Sequence, residues 1–180
     1  MNIKSLLISS ILFVPVIFPS VGRANTVAEQ HRYLAETIKS LGVPISINRK
    51  HHCAPGESGS YFSAGFMTIC QDNRQQEGVE VIWTDNDLDT LRHEAHHMIQ
   101  DCAVGGIGDR KMSLMFNDKE ELLKFLRGSG YTDNQLQQIV NHYAKQGVTG
   151  YDVLMELEAF AVARSIPANL IADKLKEYCS

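Results

Sequence analysis

Residues 91–99 read "LRHEAHHMI", with His93, Glu94, Ala95, His96 and His97 in direct succession. On a helix each residue advances by about 100°. With His93 at zero, His97 lies about 40° away and one turn along, so both imidazoles can reach a common point. Leu88, Leu91, Ala95, Met98, Ile99 and Cys102 gather on the opposite side. A core-facing stripe is thus separate from the histidine pair, and Glu94 stands at the edge of the histidine surface. His93 and His96, at i and i+3, form a rival pair, but that pair leaves Glu94 without a role. The spacing selects His93 and His97, and leaves His96 as a solvent-facing polar residue or a contact behind the ligands.

The surrounding chain predicts an α+β fold. "VAEQHRYLAETIKSL" (residues 27–41) has helical apolar spacing and stops at Gly42 and Pro44. Strands are expected at "PISINR" (44–49), "FMTIC" (66–70) and "VEVIW" (79–83), with "APGESGS" (54–60) and "QDNRQQEG" (71–78) as loops. The capping residues of "TDND" open the histidine helix, which runs from about Asp87 to Cys102. Asn117, Thr132 and Thr149 each precede an acidic or amide residue by three positions and predict three more helix starts. Pro167 opens a last helix toward Tyr178. The histidines of "RKHHC" (49–53) read as strand neighbours pointing to opposite faces, hence as surface residues rather than joint ligands.

Residues 1–24 read as a secretory signal peptide: Lys4, an uncharged apolar run over residues 6–18, and small residues Gly22 and Ala24 before a cut after Ala24. The run is short for a membrane span, and Pro15 and Pro19 interrupt it. Residues 25–180 then form a single domain, secreted or periplasmic. Cys53, Cys70, Cys102 and Cys179 all fall in it, and an oxidising compartment would join them as two disulfides. Three pairings are possible. Cys53–Cys70, closing a local loop, with Cys102–Cys179, tying the C-terminus to the histidine helix, is the favoured one. Loss of Lys4 and Arg23 takes the net charge from −4 to about −6. No basic stripe remains, which argues against nucleic acid or, after signal cleavage, a membrane as partner.

His93-Glu94-x-x-His97 is the H-E-x-x-H arrangement. It offers two nitrogen ligands to Zn²⁺ and a glutamate placed to act on water as a general base without ligating the metal. "TLRHEAHHMI" (90–99) also resembles the longer signature of zincin metallopeptidases, with Thr90 three positions before the first histidine and an apolar Met98-Ile99 tail. The expected layout of a helix, a small sheet, the histidine helix and a helical second half is similar to the minimal zincin fold. The resemblance implies a zinc-dependent hydrolase acting on peptide or protein substrates. It also implies an edge strand, such as residues 79–83, that pairs with extended peptide.

Catalytic zinc usually has three protein ligands. No H-x-x-G-x-x-H continuation follows His97, which argues against metzincins; gluzincins take a glutamate from a later helix. "VLMELEAFAVAR" (153–164) offers Glu156 and Glu158. Both lie beside apolar residues on a helix, so angle alone leaves them open. Glu156-Leu157-Glu158-Ala159 resembles the E-x-x-A segment of ImmA/IrrE-like metallopeptidases, and that likeness favours Glu156 as third ligand, ahead of Glu158, Asp101 and Asp152. His142, Tyr143, Tyr151 and Arg164 are candidates by chemistry to stabilise an oxyanion.

Three readings follow. The first is an exported zinc metallopeptidase with His93, His97 and Glu156 on Zn²⁺ and Glu94 as base. The second is an exported metal-binding or interaction domain without turnover on the same scaffold. The third is a structural helix with histidines on a wet face.

Overall fold

A computed structural model describes residues 26–180; the signal-peptide reading of residues 1–24 lies outside them. The chain forms α1 (Val27–Ser40), β1 (Ile45–Ile47), β2 (Gly59–Phe62), β3 (Phe66–Ile69), α2 (Asp85–Cys102), α3 (Lys119–Gly128), α4 (Asp133–Lys145), α5 (Tyr151–Ser165) and α6 (Ala168–Cys179). This is an α+β architecture. Its three-stranded sheet has the order β1-β3-β2, with β1 parallel and β2 antiparallel to β3.

Helix starts follow local chemistry. Thr26 with Glu29, Thr84 with Asp87 and Thr132 with Gln135 form capping boxes that satisfy the first free amides of α1, α2 and α4. Two expected caps are displaced. Asp118, not Asn117, caps α3, because its carboxylate already accepts from the Glu120 N–H. Gly150, not Thr149, precedes α5; its φ of 63° makes the entry turn through the backbone, which glycine adopts without steric cost.

Helix α2 is central. Leu91, Ala95, Met98 and Ile99 join Leu34 and Ile38 of α1, Met67 and Ile69 of β3, and Ile171 and Leu175 of α6 in one buried cluster. A second cluster, Leu122, Leu126, Val153, Leu157 and Ala161, holds α3 to α5. The disulfides are Cys53–Cys70 and Cys102–Cys179. The second joins the end of α2 to the end of α6 across 77 residues. In the chain-entropy account, closing so long a loop restricts the unfolded chain by about 4 kcal/mol.

The sheet departs from expectation in two places. Residues 79–83 are not a strand. Their main-chain groups bond to side chains: the Val81 N–H to Gln71 Oε1, the Val81 carbonyl to Gln71 Nε2, and the Val79 carbonyl to Asn48 Nδ2. With those groups engaged no ladder forms, and Ile82 is left 90% exposed. The third strand is instead β2, which begins inside the Gly/Ser/Pro-rich stretch read as loop. The "RKHHC" stretch is also not extended. Lys50–His52 form a short 3-10 turn, with His51 exposed and His52 half-buried against the rings of Phe62 and Phe66.

Strand β2 is an edge of the sheet and lies against α2. The Tyr61 hydroxyl donates to Asp101 Oδ2 at 2.6 Å, fixing the strand to the helix end. Gly59 allows the approach at the other end. A Cβ there would stand 2.6 Å from Thr90 Cγ2 and 3.2 Å from Glu94 Oε1. Gly59→Ala is therefore expected to destabilise by about 1–3 kcal/mol through overpacking. Urea denaturation should show a lower midpoint with unchanged slope. Adding Thr90→Ser, which removes the clashing methyl and keeps the hydroxyl bonded to the Asn86 carbonyl, should recover part of the loss, the Thr68 carbonyl 3.0 Å from that Cβ retaining the rest.

Candidate metal centre

Helix α2 delivers His93, Glu94 and His97, and α5 delivers Glu156. His93 Nε2 and His97 Nε2 are 3.0 Å apart, and Glu156 Oε2 lies 3.2 Å from the first and 3.4 Å from the second. Ligands about 2.0–2.1 Å from a tetrahedral zinc stand about 3.3 Å from one another. A triangle with the observed edges has a point about 2 Å from all three corners, just out of its plane. The donor set, two imidazole nitrogens and one carboxylate oxygen, could hold a metal ion, and zinc accepts ligands of both kinds.

The wet-face reading is overturned. His93 is 8% exposed, His96 5%, His97 6% and Glu94 5%. They are covered because α5 docks across them, with the small buried residues Ala159 and Ala163 beside Glu156 on its surface. Phe160, one turn after Glu156, sets its ring edgewise against His93 with centroids 4.5 Å apart. The Glu156 side chain retains 22% exposure and is the open side of the group.

The electrostatics follow from burial and proximity. Burial raises the Glu94 pKa; His93 and His97 oppose the rise, and the Tyr61 main-chain N–H offsets part of it. Burial also acts against a charge on His97, but the adjoining Glu156 carboxylate outweighs it and pushes that imidazole up to about 9. Glu156 is held well below the usual carboxylate range: burial works against it, and hydrogen bonds from both imidazoles prevail. His97 and Glu156 thus stabilise each other's charged forms.

The other candidates fall elsewhere. Glu158 is fully buried and is not the third ligand. It accepts from the Gln100 amide at 2.9 Å and from the Met115 N–H at 3.0 and 3.1 Å. His96 is buried behind the ligands, 3.6 Å from Glu158 Oε1 and outside hydrogen-bond range. Asp101 is engaged by Tyr61, and Asp152 is exposed. Of the four oxyanion candidates, only Tyr143 reaches the group. Its hydroxyl meets the Glu156 carboxylate; burial first, then the Glu156 charge, raises its pKa and keeps it protonated. His142 bonds Gln146, Tyr151 accepts from the Leu114 N–H, and Arg164 lies over the Tyr131 ring.

Gln100, Gly59 and Phe160 were not singled out from the sequence. A signal existed for Gln100, which stands three residues after His97 on the same helical face. A cavity of about 540 Å³ lies away from these residues, between α1, β1 and residues 80–83, lined by His31, Ile45, Ile47, Trp83 and Leu91 among others. It touches none of the four central side chains.

No family model matches the chain, and neither a curated protein nor a solved structure matches it.

Proposed function

We propose that the chain is an exported zinc-dependent hydrolase, a metallopeptidase of the gluzincin type on a zincin-like scaffold. The observation that carries this reading is the triangle of His93, His97 and Glu156 with the buried Glu94 carboxylate beside it. Two disulfides support an oxidising compartment, in keeping with a signal peptide over residues 1–24.

His93, His97 and Glu156 would hold Zn²⁺, which supplies Lewis acidity and lowers the pKa of water toward neutrality. Glu94 takes the proton from the attacking water and passes it to the leaving amine; its raised affinity for protons suits both transfers. The Tyr143 hydroxyl, kept protonated, donates to the oxyanion that develops as the carbonyl is attacked. Edge strand β2 replaces residues 79–83 as the place where an extended peptide pairs. It is the strand that borders Glu94, through Gly59 and the Tyr61 main chain.

Protein purified without added metal should carry zinc at one equivalent by atomic emission, and His97→Ala should lose it. Glu94→Gln should keep the zinc and lose at least about 10²-fold in turnover of a peptide library. Absence of zinc in the folded wild type would refute the reading. Zinc bound with no cleavage, and no effect of Glu94→Gln on function, would favour the non-catalytic metal-binding domain instead.

Tyr143→Phe should lower kcat by about 10²-fold with KM and zinc content close to wild type, as expected when one oxyanion donor is removed. Steady-state kinetics on a peptide identified by the library would check this. A change confined to KM would assign Tyr143 to substrate binding.

A further inference from the structure

The two histidines of the centre are supported in different ways. The His93 Nδ1 makes no hydrogen bond. The His97 Nδ1 lies 2.7 Å from Gln100 Oε1. The Gln100 Nε2 donates at 2.9 Å to Glu158 Oε2 and at 3.2 Å to the Met155 carbonyl. Gln100 and Glu158 are both fully buried.

These contacts determine which end of the Gln100 amide faces His97. A carboxylate and a main-chain carbonyl are acceptors only, so both require the NH₂ end. The amide oxygen is left for His97, and an oxygen there requires a proton on Nδ1. In the neutral imidazole, the form that binds a metal, Nε2 then presents its lone pair toward His93 and Glu156. Glu158 itself is held by the Met115 N–H, so its carboxylate cannot swing away without abandoning that donor as well.

We propose that Glu158 and Gln100 are positioning residues: Glu158 orients the Gln100 amide, and Gln100 fixes His97 in the Nδ1–H tautomer with Nε2 aimed at the metal position. The proposal rests on the metal reading of His93, His97 and Glu156. Neither residue touches the metal or the substrate. Glu158, a contender for third ligand on sequence grounds, acts instead through an amide and an imidazole. Outer partners of this kind typically change metal affinity by about 10–100-fold.

The test uses the mature full chain with Zn²⁺ competed against a chromophoric chelator, and Co²⁺ as a spectroscopic probe of coordination. Gln100→Met and Glu158→Gln should each weaken zinc binding about 10–100-fold and shift the Co²⁺ visible bands. The double variant Gln100→Glu/Glu158→Gln exchanges the carboxylate and the amide. It again offers His97 an acceptor and keeps a donor between positions 158 and 100, so it should bind zinc within a few-fold of wild type. Single variants that fold, by circular dichroism, and bind zinc as tightly as wild type would overturn the proposal.

A measurement on the unaltered protein covers variants that fail to fold. In ¹⁵N-histidine-labelled protein with zinc, His97 should show a slowly exchanging proton on Nδ1. A protonated Nε2, with coordination through Nδ1, would overturn the assignment. If wild type binds no zinc, or His97→Ala binds it unchanged, the underlying metal reading fails. If wild type binds and only the Gln100 and Glu158 variants are silent, the relay alone fails.

Discussion

Three carboxylates, those of Glu94, Glu156 and Glu158, are held between α2 and its neighbours, and among the described residues no lysine or arginine forms an ion pair with any of them. A buried carboxylate without compensation costs several kcal/mol. Each is treated differently. Glu158 accepts from fixed donors, an amide and a main-chain N–H. Glu156 takes both imidazoles. Glu94 has the least compensation, and burial shifts it toward the neutral form. On the proposed reading, a divalent cation at the His93, His97 and Glu156 triangle would relieve the excess of negative charge where three lone-pair donors converge. The raised proton affinity of Glu94 fits its place beside that proposed charge.

The same requirement shapes α2. Thirteen of its eighteen residues are buried, among them Asp87, Thr90, Glu94, Gln100, Asp101 and the three histidines. A helix with that composition on a protein surface would turn its polar side to water. Here the polar side is covered, and several of its polar groups take partners from other elements. Asp101 takes the Tyr61 hydroxyl from β2, Gln100 takes Glu158 and the Met155 carbonyl from α5, and Asp87 accepts from the Asp72 N–H. The Cys102–Cys179 bond adds α6 at its end. Helix α2 is therefore the most cross-connected element in the fold.

Much of this was legible in the sequence because it depends on short-range periodicity. The i and i+4 spacing of His93 and His97, the opposed apolar stripe, and the capping residues Thr84 and Thr132 are local properties. The failures were long-range. Residues 79–83 alternate like a strand, but Gln71 and Asn48 claim their main-chain groups, and nothing within the segment reveals that competition. Strand β2 begins at Gly59 in a stretch whose glycine and serine content suggests a loop, because close approach to Thr90 and Glu94 excludes any side chain. The choice between Glu156 and Glu158 was ambiguous for a geometric reason. With Glu156 at zero on α5, the fully buried Ala159 lies at about −60° and Glu158 at about −160°. The alanine side meets α2, and the glutamates reach it from opposite flanks, one beside His93 and His97 and the other against Gln100.

That arrangement makes docking of α5 and assembly of the candidate metal centre a single event. Helix α5 supplies Glu156 to the His93 and His97 pair, the ring that packs on His93 through Phe160, and the acceptor for the Gln100 amide through Glu158. None of the three can be lost alone by rigid displacement of α5. A shift of about 1 Å would lengthen the Glu156 contacts, loosen the ring contact and open the amide bond together, and hydrogen bonds weaken over just such a distance. The geometry of the His93, His97 and Glu156 group thus inherits its precision from helix packing rather than from any one side chain, and the small buried residues Ala159 and Ala163 permit a close approach of α5. A larger residue at either alanine would act on the metal centre without touching it.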